Sequence, residues 1–341
     1  MRDERRASRP VIRVSLFLAI ALCLAVFAAG CGQPDPLFTK GAAADSPSGK
    51  ILYAANGDIY EWDNGSSHQI THDGDASSPS WSGNGSQFVF VRTGNAYSDL
   101  WVANADGSNA RKLTADQPQG QIGTADYVCD AVWALDPAWS PSGDDIIFAS
   151  DLGTSCPDIR PNYLWLMQGL GEIPHRVPAS TTNGDTVEHP SFSPDGSKVV
   201  FDQRTTGDSA LQRWTQLWTI DLNSGVLKPL VVTKNATYDA SWSPDGKWIA
   251  YIQRTGTSDD VWVIPAAGGK AVQVTHLGNV TQTAWSPDST KIAFFQVNGL
   301  GFQTRYVDFS VGANGAPSGG GTHTLFSASG VDTTSGLSWT K

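Results

Sequence analysis

From residue 46 onward, apolar residues come in short runs separated by Gly, Pro, Asn, Asp and Ser. Runs this brief, rich in Val, Ile, Phe, Tyr and Trp, predict strands rather than helices. They also recur in a fixed order. An aromatic-Ser pair leads into a turn: Trp81-Ser82-Gly83-Asn84-Gly85, Trp139-Ser140-Pro141-Ser142-Gly143, Phe192-Ser193-Pro194-Asp195-Gly196, Trp242-Ser243-Pro244-Asp245-Gly246 and Trp285-Ser286-Pro287-Asp288-Ser289. In Ser-Pro-Asp-Gly, Pro presets φ, Asp bonds back to the backbone and Gly accepts a positive φ, which together predict a tight hairpin turn.

After each turn the pattern predicts a short strand: Phe88 to Val91, Ile146 to Ala149, Val199 to Asp202, Ile249 to Ile252 and Ile292 to Phe295. A third strand follows, centred on Trp101, Trp165, Trp218, Trp262 or Tyr306, and then a fourth carrying Leu113, Val177, Leu230, Val274 or Leu325. Four antiparallel strands per repeat is the plan of a propeller blade. The first repeat, with its turn at Ser46-Pro47-Ser48-Gly49 and its strand from Ile51 to Ala54, has no first strand of its own. Gly336-Leu337-Ser338-Trp339 supplies one from the other end of the chain. Such closure leaves no free sheet edge. The sequence therefore predicts an all-β, six-bladed β-propeller of four-stranded antiparallel blades over residues 46–341, closed by the C-terminal strand joining the first blade.

The Trp-Ser-Pro-Asp-Gly turn, the aromatic strand after it and the Leu-Trp-Val third strand resemble the WD-like repeat of TolB-like propellers. The resemblance spans nearly all of residues 46–341 and speaks to fold, since such repeats serve many roles. TolB proteins carry an α/β domain before the propeller. Here that place is held by a short polar segment, so the resemblance implies no TolB partner.

The N-terminus changes the picture. Arg2, Arg5, Arg6, Arg9 and Arg13 precede an apolar run from Val14 to Ala29, which ends in Ala28-Ala29-Gly30-Cys31. This predicts a lipoprotein signal peptide over residues 1–30, a lipid on Cys31 and a flexible tether over 31–45, placing the chain outside the cytoplasm on a bacterial envelope. The net charge of −10 repels phosphate backbones and excludes nucleic-acid partners. Of the four Cys, Cys23 leaves with the signal and Cys31 takes the lipid. Cys129 and Cys156 are then expected to form a disulfide in that oxidising compartment.

Candidate chemistry is sparse. There is no Gly-x-Ser-x-Gly elbow, and Gly207-Asp208-Ser209 falls in a loop. Strand alternation puts the hairpin turns on one face of the disc, and the long segments Asp116 to Asp136, Ser150 to Asn162 and Gln203 to Thr215 on the other. Three positions before the anchor aromatics stand Ser78, Asp136, His189, Asp239 and Gln282, on the channel side. With Glu188 and Asp332 they form an acidic funnel suited to a cation or a positively charged peptide. Trp133, Trp214, Tyr238, Tyr97 and Tyr127 are expected in loops of the elaborated face, where aromatics grip peptides or sugars. His72, His189 and His276 fall near its inner rim and form an alternative metal set for a polysaccharide lyase or hydrolase. The leading expectation is a monomeric, non-enzymatic scaffold without cofactor, recruiting an envelope protein, peptide or glycan through the loop-rich face.

Overall fold

The computed structural model describes residues 38–40, 47–154, 160–178, 185–206, 213–299 and 301–341. The signal segment, Cys31, most of the tether, Cys156 and the Gly207-Asp208-Ser209 segment lie outside them. Among the described residues, no helix is long and apolar enough to cross a membrane.

Six antiparallel sheets form the ring. Blade 2 runs Ala76–Trp81, Gln87–Thr93, Ser98–Asn104 and Arg111–Lys112 from the channel outward. Blades 3, 4 and 5 repeat this order, beginning at Ala134–Trp139, Thr186–Phe192 and Thr237–Trp242. Blade 6 begins at Val280–Trp285 and ends in the long strand Pro317–Ala328. Blade 1 is composite. Ser338–Thr340 is its inner strand, and it pairs with Lys50–Ala55 in the register Ile51 to Trp339 and Leu52 to Ser338.

The turn motif works by side-chain capping. The N–H of Gly196 donates to the Ser193 carbonyl (2.8 Å), and Ser193 Oγ donates to Asp195 Oδ1 (2.6 Å). Asp195 Oδ1 in turn accepts the Ser197 N–H (3.0 Å), and Ser193 Oγ accepts the Lys198 N–H (2.9 Å). These bonds lower the Asp195 carboxyl to about 2, the Ser193 hydroxyl contributing most. Asp245 and Asp288 repeat the arrangement, each 2.6 Å from its Ser hydroxyl. Ser289 replaces the usual Gly yet still adopts φ 59°.

Between every two neighbouring blades lies one apolar core, six in all among the described residues. Trp81, Trp139, Phe192 and Trp285 are buried in these cores, while Trp242 and Trp339 pack against them. The outermost strands are shorter than the apolar pattern suggests. Leu113, Val177, Leu230 and Val274 lie just past their ends, each still donating its N–H to the third strand at 2.7–2.9 Å. Two boundaries differ from expectation. Phe38–Lys40, inside the expected tether, pairs with Phe326 to Ala328 and adds a fifth strand to blade 6. In blade 4, Thr205 pairs with Trp214 and Thr206 with Arg213, so the ladder runs into the expected Gln203–Thr215 loop. The β-favouring Thr and Trp there extend the hairpin.

Candidate functional site

The inner strands of blades 2 to 6 are each interrupted three residues before the anchor. Register shifts fall between Ser77 and Ser80, Leu135 and Ala138, Glu188 and Ser191, Tyr238 and Ser241, and Thr281 and Ala284. At each of these bulges one residue takes a left-handed backbone: Ser78, Asp136, His189, Asp239 and Gln282, with φ from 46° to 59°. Gly336, at φ 67°, holds the equivalent place in blade 1, where glycine bears no Cβ strain. The six positions form one ring lining a central cavity of about 290 Å³. The expected channel placement is therefore realised through a bulge instead of plain alternation. Pro79, Pro137 and Pro190, next in sequence, are the signal for it, since proline inside a strand marks a bulge or an edge.

The ring is stitched across blades. His189 N–H faces Asp136 Oδ2 (3.4 Å), Asp239 N–H donates to Asp202 Oδ2 (2.9 Å), and Gln282 N–H donates to Asp239 Oδ2 (3.0 Å). Ser78 N–H donates to Ser335 Oγ, and Ser78 Oγ donates to Asp136 Oδ1 (3.3 Å). Blade 4 has a histidine where its neighbours have Asp, so its carboxylate comes from the second strand, as Asp202. The apolar pattern puts Asp202 at the end of a strand and marks no role for it in the site. His189 Nδ1 lies 2.8 Å from Asp202 Oδ2 and 3.3 Å from Asp239 Oδ1, and Nε2 lies 3.8 Å from Asp136 Oδ2.

Burial disfavours a charged His189, but Asp136, Asp239 and Asp202 outweigh it and hold the imidazole well above its ordinary value. Burial pushes the Asp202 carboxyl up to about 7. Glu188, expected in the funnel, is instead paired with Arg204, and Asp332 caps Thr334 N–H (3.0 Å).

The three-histidine set is not assembled. His72 and His276 are exposed in blade-joining loops and do not line the channel, and among the described residues His189 clusters with Asp202 and Asp239, not with another histidine. A loop-borne histidine follows its loop, whereas His189 is fixed by a strand.

The loop face is held by a repeated device. Asp58, Asp99 and Asp260 sit at or near the start of third strands, and each caps the following blade-joining loop. Asp260 Oδ1 accepts the Leu277 N–H (2.7 Å) and the Thr275 hydroxyl (2.9 Å), Asp99 Oδ1 the Asp116 N–H (2.8 Å), and Asp58 Oδ1 the Asp73 N–H (2.9 Å). The long loop between blades 2 and 3 folds into a short helix, Ala125–Asp130, capped by Thr124 and anchored by buried Tyr127. Trp133 follows it, half-buried, with its N–H on Asp151 Oδ1 (2.8 Å). Arg160 Nε pairs with Asp151 Oδ2 (3.1 Å) and its Nη1 reaches the Val128 carbonyl (3.4 Å).

Two expected loop aromatics belong to strands. Trp214 lies in Arg213–Asp221, and Tyr238 lies in the inner strand of blade 5, packed against the core between blades 5 and 6. Tyr238 reads as a loop residue because Thr237, Asp239 and Ser241 around it give the strand little apolar character before its anchor Trp242. Tyr97 stays in a loop, with the Lys112 ammonium 6.0 Å from its ring centre.

Asp116 begins the long loop between blades 2 and 3. Burial, reinforced by the nearby carboxylates of Asp99 and Asp151, pushes its carboxyl up to about 6. Because the folded value exceeds the unfolded one, the chain loses stability as pH rises from about 4 through 6. Asp116→Asn is thus expected to match the native chain at pH 4 and to exceed it by about 1–2 kcal/mol at pH 8, allowing for partial exposure. Thermal unfolding across that range checks this, and an unchanged difference at both pH values contradicts it.

Residues 166–318 match the model described as the TolB beta propeller domain, and residues 42–168 match that of the dipeptidyl peptidase IV N-terminal region. The "Uncharacterized peptidase YuxL" of Bacillus subtilis (strain 168) is 28% identical over 214 residues, 62% of this chain. The chain spans only 27% of that relative's length. TolB from Acinetobacter baumannii has a TM-score of 0.62 at 15% identity, over 85% of this chain and 66% of that one. A putative TolB from Agrobacterium tumefaciens gives 0.59 at 16% identity, over 86% and 99%. At such identities the likeness to both is one of fold. The chain is a six-bladed β-propeller, similar over residues 166–318 to the TolB beta propeller domain and similar in fold to the two TolB structures.

Proposed function

We propose that this propeller is a non-enzymatic binding module of the bacterial cell envelope, anchored by a lipid on Cys31, which recruits a protein, peptide or glycan through its loop face. One observation carries the reading. Ile122 and Val128 are 61% and 52% exposed on the loop between blades 2 and 3, which Tyr127, Asp99 and Arg160 hold in place. Apolar side chains presented on a pinned segment suit a partner surface, since little ordering entropy is lost on binding. A Cys129–Cys156 disulfide would tighten the same platform. Supporting it, Arg160 lies against the carbonyl of Val128, next to Cys129. The acidic charge favours a partner with basic groups at its rim.

Crosslinking capture from the native envelope tests the reading. The native chain should retain one defined partner, and an Ile122→Asp, Val128→Asp double variant should lose it at least tenfold while unfolding at the native temperature. Equal capture by both chains would defeat the loop-face assignment. Depolymerisation of an envelope polysaccharide by the purified chain would defeat the non-enzymatic one.

A further inference from the structure

The inner ring of the channel gathers three carboxyl groups around one histidine. Asp136, Asp202 and Asp239 converge on one imidazole, and among the described residues no Lys or Arg lines the cavity. The side chains of Asp202 and Asp239 are only 2% and 4% exposed, so water does little to satisfy them. One atom also has unused capacity. Asp202 Oδ2 takes both His189 and the Asp239 N–H, whereas Asp202 Oδ1 is buried without a hydrogen-bond donor.

We infer that His189, Asp202 and Asp239 bind a divalent transition-metal cation of the zinc or manganese kind in the wall of the central channel. This goes beyond the loop-face reading and stands independently of it. The donor set is one imidazole nitrogen and two carboxylate oxygens, a mixture that suits these ions better than calcium or monovalent copper. One ligand atom from each residue lies within 4.8 Å of the others. A tetrahedral shell with bonds of about 2.0–2.1 Å sets its ligand atoms roughly 3.3 Å apart. The Nδ1 separation from Asp239 Oδ1 is already 3.3 Å, and that from Asp202 Oδ2, 2.8 Å, has to open by about half an ångström.

The supporting groups are in place as well. Asp239 Oδ2 accepts the Thr281 hydroxyl and the Gln282 N–H, both at 3.0 Å, and Asp239 Oδ1 accepts Gln282 Nε2 at 3.2 Å. Gln282, which strand alternation suggested as a ligand contact, serves here to orient Asp239. On entry of the cation, His189 gives up the proton on Nδ1 to solvent and offers that nitrogen to the metal.

The experiment starts from the purified full chain after dialysis against a chelator, titrated separately with Zn²⁺ and Mn²⁺. One equivalent should bind per chain, and the unfolding temperature should rise by several degrees. Asp202→Asn and His189→Gln should each weaken binding at least tenfold, while His72→Ala and His276→Ala should leave it unchanged. X-ray absorption at the metal edge of the native chain should show one nitrogen and carboxylate oxygens, a readout that stands even where a variant fails to fold. Absence of stoichiometric binding of both ions, unweakened binding in the folded Asp202 and His189 variants, or loss of the ion on His72→Ala would each overturn the inference.

Discussion

A chain ended after Ser335 will lose its cooperative unfolding transition or unfold at least about 10 °C below the native chain. The six residues removed include the inner strand of blade 1, and with it the pairing of Thr340, Trp339 and Ser338 to Lys50, Ile51 and Leu52. Ile51, Leu52 and Tyr53 are fully buried, so their strand becomes an exposed apolar edge inside the ring. Blade 2 is affected too, because Ser338 Oγ accepts the Trp81 N–H at 2.9 Å. Trp339 packs on the core between blades 1 and 6 and donates its indole N–H to the Ser48 carbonyl at 3.2 Å. The fit at this seam is close: a Cβ on Gly49, at φ 101°, would meet the Thr340 carbonyl oxygen at 2.2 Å. Circular dichroism melts of the two chains decide the matter. A truncated chain that melts with the native one would mean that the ring does not depend on its seam.

The second large effect is expected at Asp239. Its carboxylate is 4% exposed and accepts from Thr281 and twice from Gln282, beside His189. Asp239→Ala removes one partner of a buried charged network and leaves the Gln282 N–H without its acceptor. Losses of this kind are about 3–5 kcal/mol. Asp239→Asn keeps the shape and one acceptor oxygen but not the charge, so it should fall between the two. Ser78→Ala, at the rim of the same ring, should lose less than about 1 kcal/mol. Urea unfolding of the three variants checks the order, and an Asp239→Ala chain within 1 kcal/mol of the native one would show that the stitched ring does not hold the blades.

Much of the fold was legible because its signals are local. Trp242-Ser243-Pro244-Asp245-Gly246 states its own turn, since every bond of the cap lies within six residues. The pairing of Trp339 with Ile51 was legible too, although distant in sequence, because each end lacks what the other supplies. The bulges were harder. Ser78, Asp136, His189, Asp239 and Gln282 could be placed on the channel side from their distance to the anchors, but their left-handed backbone was signalled only by the proline after three of them. Tyr238 and Trp214 lie in strands and not in the expected loops because strand ends shift with pairing, which a single strand's composition does not reveal.

By itself, then, the sequence determined the strand repeat, its turns, the blade number and the closure, all of which follow from residue periodicity and turn chemistry. Only the tertiary structure decided which ionisable groups meet. Asp202 joins His189 and Asp239 because the ring brings two blades within hydrogen-bonding distance across 37 residues of chain. Pinning of the loop face by Asp58, Asp99 and Asp260 is likewise a matter of packing. Electrostatic coupling depends on distance through space, and that distance is fixed only once all six blades have closed on one another.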